Sequence, residues 1–240
     1  MPPVKKRPRR YDPAKTRAAV LAQLGHVREA VRELDSETVS ALTAVVAVSL
    51  AEVEHAVVCP AGPKPTLTPA EWFLVPGDRT GAPGEPLADT EHRLRALLDA
   101  HPAERLVETG AGVMTLDDFL VTRLVGLVLC ADDLNTDVPG LDVPLDRQAL
   151  AAATRVLADA LALKAPGGST EVRVPPYAVV QCVEGPRHTR GTPPNVVETA
   201  PLTWVRLATG RLTWADALTR AEVSASGERA DLSDLLPLRP

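Results

Sequence analysis

Cysteine is scarce in this chain: three residues in 240, at positions 59, 130 and 182. The number is odd, the spacing is wide and no C-x-x-C pair occurs, which fits reduced thiols better than a disulfide frame. The histidines at 26, 55, 92 and 101 are just as uninformative, since the nearest two, His92 and His101, lie nine apart across a helix end and show no metal-ligand spacing. No glycine-rich phosphate loop is present: GAGV at 110–113 lacks both the spacing and a preceding strand. Positive charge is not in excess. With 26 Lys and Arg against 31 Asp and Glu, the formal net charge of −5 gives no basic face for a nucleic-acid duplex. A local exception is Lys5, Lys6, Arg7, Arg9 and Arg10 among N-terminal prolines, which reads as a disordered tail, residues 1–12. That positive start leads to no apolar signal core, and the apolar runs near Ala44–Val58 and Leu124–Cys130 carry charges or are too short to cross a bilayer. A cytoplasmic protein without membrane insertion is expected.

Apolar residues make up 45% of the chain, enough for a proper core in one large domain or two ordinary ones. Aromatics supply only 3% against abundant Ala, Arg, Leu and Val, a composition that looks like a high-GC actinobacterial protein. Asp12-Pro13 is a helix start, and Val20, Leu21, Leu24, Val27, Val31 and Leu34 recur at helical spacing, which predicts a first helix near 13–34. Ser36 is placed to cap a second, running to Val58 with Val39, Leu42, Val46, Leu50 and Val53 in its stripe. A proline-rich connection follows, holding one short helix near Pro69–Leu74. Further helices are expected at 88–100, burying Leu94, Leu97 and Leu98, from Thr115 onward, and from an Asp146 cap through Lys164.

Beyond Pro166-Gly167-Gly168 the period becomes extended. Val172, Val174, Tyr177, Val179 and Cys182 read as strand, interrupted at Pro175-Pro176 where an edge or bend fits. Another strand at 196–198, helices at 202–209 and 214–220 and a strand at 221–226 complete an α+β unit.

Two segments of the helical half resemble known ligand-bearing motifs with the ligands missing. Thr122–Leu134, TRLVGLVLCADDL, resembles T-R-x-x-E-x-x-x-H-x-x-D-L of the DinB-like, mycothiol-dependent maleylpyruvate isomerase family, with Gly126 at the Glu position and Cys130 at the His position. Thr38–Ala47, TVSALTAVVA, resembles T-V-x-x-L-x-A-H-V-A of the same family, with Val45 in place of the first histidine. From Pro193 to Leu238 the sequence, including LTWVRLATGRLTWADA and VSASGERADL, resembles the bacterial sterol-carrier-protein form found at the C-terminus of actinobacterial sterol carrier family proteins. The resemblance implies a DinB-like helical bundle over 13–165 followed by a sterol-carrier-like α+β domain over 170–240.

Candidate chemistry is densest in QCVEGPRHTRGTPPN, 181–195. Arg187, His188 and Arg190 are expected on a loop where two guanidiniums can clamp a carboxylate or phosphate and the imidazole can exchange a proton. The alternative is a solvent-facing loop with arginines paired to Glu184 and Glu198. Cys182 and His188 also allow a thiol nucleophile with an imidazole base. Asp132 and Asp133 point about 100° apart on a helix, which suits a structural role, one of them pairing with Arg123 or capping backbone, better than acid–base work. Trp204, Trp214, Leu207 and Leu218 either line an apolar cavity or form core.

Two functional readings follow. In the first, the chain is a metal-free, catalytically degenerate protein that binds a small or apolar molecule or a protein partner at the junction of its halves, with Arg187, His188 and Arg190 as the polar wall and Arg206 as a further contact; no cofactor is expected. In the alternative, zinc and mycothiol serve an isomerase or transferase in which the metal lowers the thiol pKa, and Cys130 recruits ligands from elsewhere. Lipid carriage is a third reading, resting on fold analogy.

Overall fold

Asp12 accepts a hydrogen bond from the Lys15 amide at 2.9 Å and Pro13 opens the first helix, α1 (Pro13–Val31). In the computed structural model, which describes residues 8–34, 37–76, 87–185 and 193–239, each of the expected helices forms. Those of the N-terminal half are α1, α2 (Glu37–Val58), α3 (Pro69–Leu74), α4 (Leu87–Ala100), α5 (Leu116–Asp137) and α6 (Arg147–Lys164). The starts are set by side chains: Thr68 and Glu71 form a reciprocal capping box at α3, Thr115 accepts from Asp118 N–H at α5, and Asp146 accepts from the amides of Gln148 and Ala149 at α6. Ser36, the expected cap of α2, lies outside the described residues.

α5 is the axis of the helical half. Fifteen of its 22 residues are buried, because α1, α2, α3 and α6 all pack against it. Leu94 and Leu98 of α4 are buried as the spacing requires, but Leu97 is only half-buried, one position off the centre of the stripe. The reading of α2 needs a larger correction. By length and composition it is long and apolar enough to cross a membrane, with a mean hydropathy of 1.7 over its best window. Here Val39, Val46, Leu50 and Val53 are buried, Glu54 pairs with Arg93 of α4, and Glu52 pairs with Arg123 of α5.

A short hairpin, β1 (Leu106–Thr109) and β2 (Gly112–Thr115), precedes α5. The sequence reading had no strand before GAGV; one is present, but it turns into a second strand instead of a helix, so no phosphate loop results. Residues 8–12, expected in a disordered tail, are held down: Arg9 donates to both oxygens of Asp159 on α6, at 2.7 and 3.0 Å. Lys5, Lys6 and Arg7 lie outside the described residues.

The C-terminal half is a four-stranded sheet in the order β4-β3-β5-β6, with β3 (Thr170–Val174), β4 (Ala178–Cys182), β5 (Val196–Thr199) and β6 (Val223–Ser226). β3 and β5 run parallel and the other pairs antiparallel. Pro175-Pro176 forms the bend of the β3–β4 hairpin, and β4 is an edge strand. The last strand begins at Val223, later than expected, because Ala221 has φ 54° and breaks the extended run. α7 (Pro201–Thr209) and α8 (Trp214–Thr219) join β5 to β6. Gly210 ends α7 in the left-handed region, φ 79°, with its N–H bonded to Leu207 O.

α6 links the two halves physically. It packs against α1, α3 and α5 on one side and against β4 and α7 on the other, and the buried residues form one continuous cluster from Ala19 to Leu238.

Candidate functional site

α2 and α5 run antiparallel and side by side, and their contacts fix where the three ligand positions of the family motif fall. Cys130 Sγ donates to Leu42 O at 3.5 Å. Four residues back along α5, a Cβ built on Gly126 would meet Ser49 Oγ at 4.0 Å. Val45 lies between Leu42 and Ser49 on the same stretch of α2, so positions 45, 126 and 130 converge on one seam.

Their chemistry does not suit a metal. Val45 is 62% exposed and has no donor atom, and Gly126 has no side chain. Burial pushes the Cys130 thiol up to about 12, reinforced by the Asp133 charge and opposed by Arg211. A neutral thiol giving its proton to a carbonyl is a poor ligand, and one protein donor does not hold zinc. Among the described residues nothing restores the set. His55 is ten residues further along α2, its Nε2 3.4 Å from Cys59 Sγ, and no group of three or more potential ligand side chains comes together among the described residues.

Beside this seam sits a buried cation. The Arg123 side chain is 3% exposed; it donates to Ser49 Oγ at 3.2 Å, to Ser49 O at 3.3 Å and to Glu52 Oε2. Its guanidinium lies 4.5 Å from the Trp72 ring centre and 4.4 Å from that of Phe119. Burial lowers its pKa and Glu52 opposes that shift. Arg123 is thus part of a stacked, hydrogen-bonded core element. Three of Arg123's neighbours, Glu52, Trp72 and Phe119, also line a cavity of about 470 Å³ walled mainly by α2, α3 and the β1–β2 turn.

At the junction of the halves the sequence expectation about Asp132 and Asp133 is corrected. Neither pairs with Arg123, whose carboxylate partner is Glu52. Asp132 accepts two bonds from Arg206 of α7, the Nε contact being 2.8 Å, and Asp133 accepts two from Arg211, both 2.7 Å. Arg206, a candidate ligand contact, therefore has its fork occupied by a carboxylate that is 4% exposed. The other three candidates, Arg187, His188 and Arg190, lie outside the described residues, as does the imidazole of the Cys182–His188 pairing. Cys182 is fully buried in the sheet, and burial raises its thiol to about 11. Trp204, Leu207 and Trp214 are core, while Leu218 is 43% exposed. A second, shallower depression of about 380 Å³ lies on the C-terminal half between Pro175, Glu198 and Ser224.

Sequence reasoning missed the helical-half cavity, because the carboxylates Glu52 and Glu108 and the rings of Trp72 and Phe119 come from four separate segments. The one local signal was the turn Thr109-Gly110-Ala111-Gly112 between Leu106-Val107 and Val113-Met114, a short hairpin pattern.

Residues 146–238 match the family model described as bacterial SCP ortholog. The match begins at the Asp146 cap and so includes α6, which the sequence division had assigned to the helical bundle. Two crystal structures of mycothiol-dependent maleylpyruvate isomerase share the fold with a TM-score of 0.55, covering 92% of this chain and 95% of theirs. Identity is 16% with a histidine-to-alanine mutant of that enzyme and 15% with the other. No curated protein matches in sequence. The chain thus has the fold of these isomerase structures, with a bacterial SCP-like part over residues 146–238, the α+β layout that its motifs resemble.

Proposed function

We propose that this chain is a metal-independent, non-catalytic relative of the DinB-like enzymes that works by binding a small molecule. The observation that carries this reading is the seam itself: positions 45, 126 and 130 converge, yet they offer a methyl pair, a hydrogen and a neutral thiol bonded to Leu42 O. Thiol activation needs a thiolate or a cation that stabilises one. Cys130 instead sits in apolar surroundings that favour its protonated form. The lipid-carrier reading gains no similar support, since Trp204, Val205 and Leu207 of the C-terminal half are packed as core.

Alkylation of the native full-length chain at pH 8 tests the proposal, with modified sites read by mass spectrometry. Cys59, the one partly exposed cysteine, is expected to react first. Cys130 and Cys182 should react only when the chain unfolds, and pretreatment with a chelator should change neither rate. A chelator that unmasks Cys130 would show that it serves as a metal ligand and would overturn the reading.

A further inference from the structure

The cavity in the helical half lies within the size range of small-molecule sites. Val48, Ala51, Ala56, Val75 and Pro76 make most of its wall apolar, and Trp72 and Phe119, 5% and 2% exposed, add small parts of two rings at its floor. Among the described residues its carboxylates are the charged groups of the rim. Glu52 and Glu108 both reach it from opposite elements, α2 and β1. Glu52 is 42% exposed although Arg123 holds one of its oxygens, and half-buried Glu108 has no hydrogen bond or ion pair to any described residue. Arg123 offers an entering anion little, because its guanidinium is enclosed by Ser49, Glu52 and the two rings. An anion would meet two carboxylates there, whereas a cation would gain a partner for Glu108 and an aromatic neighbour.

We infer that this pocket is a binding site for an organic cation with a flat apolar body, the ammonium held by Glu108 with help from the open side of Glu52, and the body lying against Trp72 and Phe119. The assignment deepens the binding role proposed above and rests on it. His55 lines the same rim and its Nε2 faces Cys59 Sγ, which places an additional polar group at the mouth.

The test uses the full chain and two probes of the same shape and opposite charge, 1-naphthylmethylammonium and 1-naphthoate, titrated by calorimetry at pH 7.5. Saturable binding of the ammonium, at least ten-fold tighter than the carboxylate, is expected. Glu108→Gln should weaken the ammonium by about ten-fold, the loss of one charge-assisted bond, while leaving the thermal midpoint unchanged. Ala51→Arg, at an exposed position on the wall, should abolish binding by filling the mouth and bringing a like charge. Equal affinity for the two probes, preference for the carboxylate, or an unchanged affinity in both variants would overturn the assignment. Absence of saturable binding of either probe would also overturn it, and would leave the metal-free reading to be judged by the alkylation experiment alone.

Discussion

Rebuilding the seam as Val45→His, Gly126→Glu and Cys130→His is expected to turn a chain with no firm zinc affinity into one that binds zinc at micromolar concentration or tighter. The gain is on the order of a thousand-fold or more, the difference between one neutral thiol and three nitrogen and oxygen donors. The geometry allows it. Val45 is mostly exposed, a Cβ at position 126 meets nothing nearer than 4.0 Å, and Cys130 sits against the turn of α2 that precedes Val45. Replacing Gly126 within α5 also gains roughly 0.5–1 kcal/mol of helix propensity. The opposing term is Cys130→His at a buried site, where extra volume costs about 1–3 kcal/mol. Calorimetric titration measures the affinity, and the circular dichroism spectrum confirms the fold. A folded triple variant that binds zinc no better than the parent would show that the three positions do not converge as described.

Arg206→Ala is expected to destabilise the protein far more than Arg211→Ala, although both remove an arginine that bridges the halves. Asp132 is 4% exposed and its carboxylate is bonded to Arg206, so the truncation leaves a buried charge without its partner. Breaking a fully buried pair costs about 3–5 kcal/mol; with Arg206 itself a third exposed, water can enter, and about 2–3 kcal/mol is the appropriate scale. Asp133 is 22% exposed and Arg211 35%, and a pair of that kind contributes about 0–1 kcal/mol. Urea unfolding of the two variants gives the comparison directly. Losses equal within about 0.5 kcal/mol, the usual scatter of surface substitutions, would mean that the Asp132 pair is not the buried tie between α5 and α7. Asp132→Asn in the Arg206→Ala background should recover part of the loss, since it removes the unpaired charge.

Helix positions were legible in the sequence because their ends are local chemistry. Asp12, Thr68, Thr115 and Asp146 each cap through side chains within three residues, and Pro166-Gly167-Gly168 closes α6. The β1–β2 hairpin escaped notice because two four-residue strands carry little periodicity. That Val45 and Gly126 carry no donor atom was equally plain, being a matter of residue type alone. What pairs with what was not plain. Arg123 lies near Asp132 and Asp133 in the chain, yet its partner Glu52 is 71 residues away, and the aspartates find arginines more than 70 residues ahead. Helix geometry explains the error: nine residues along α5 separate Arg123 from Asp132, roughly 13 Å. The cavity was hidden for a related reason, since its acidic and aromatic groups belong to elements that only tertiary packing brings together.

The central proposal, that positions 45, 126 and 130 of this chain hold no metal, is tested most directly by elemental analysis of the full-length chain purified without chelator and desalted into metal-free buffer. The account predicts transition metal far below one ion per chain, unchanged in a folded Cys130→Ser variant. Near-stoichiometric zinc that disappears in that variant would contradict it and make Cys130 the anchor of a rebuilt metal centre.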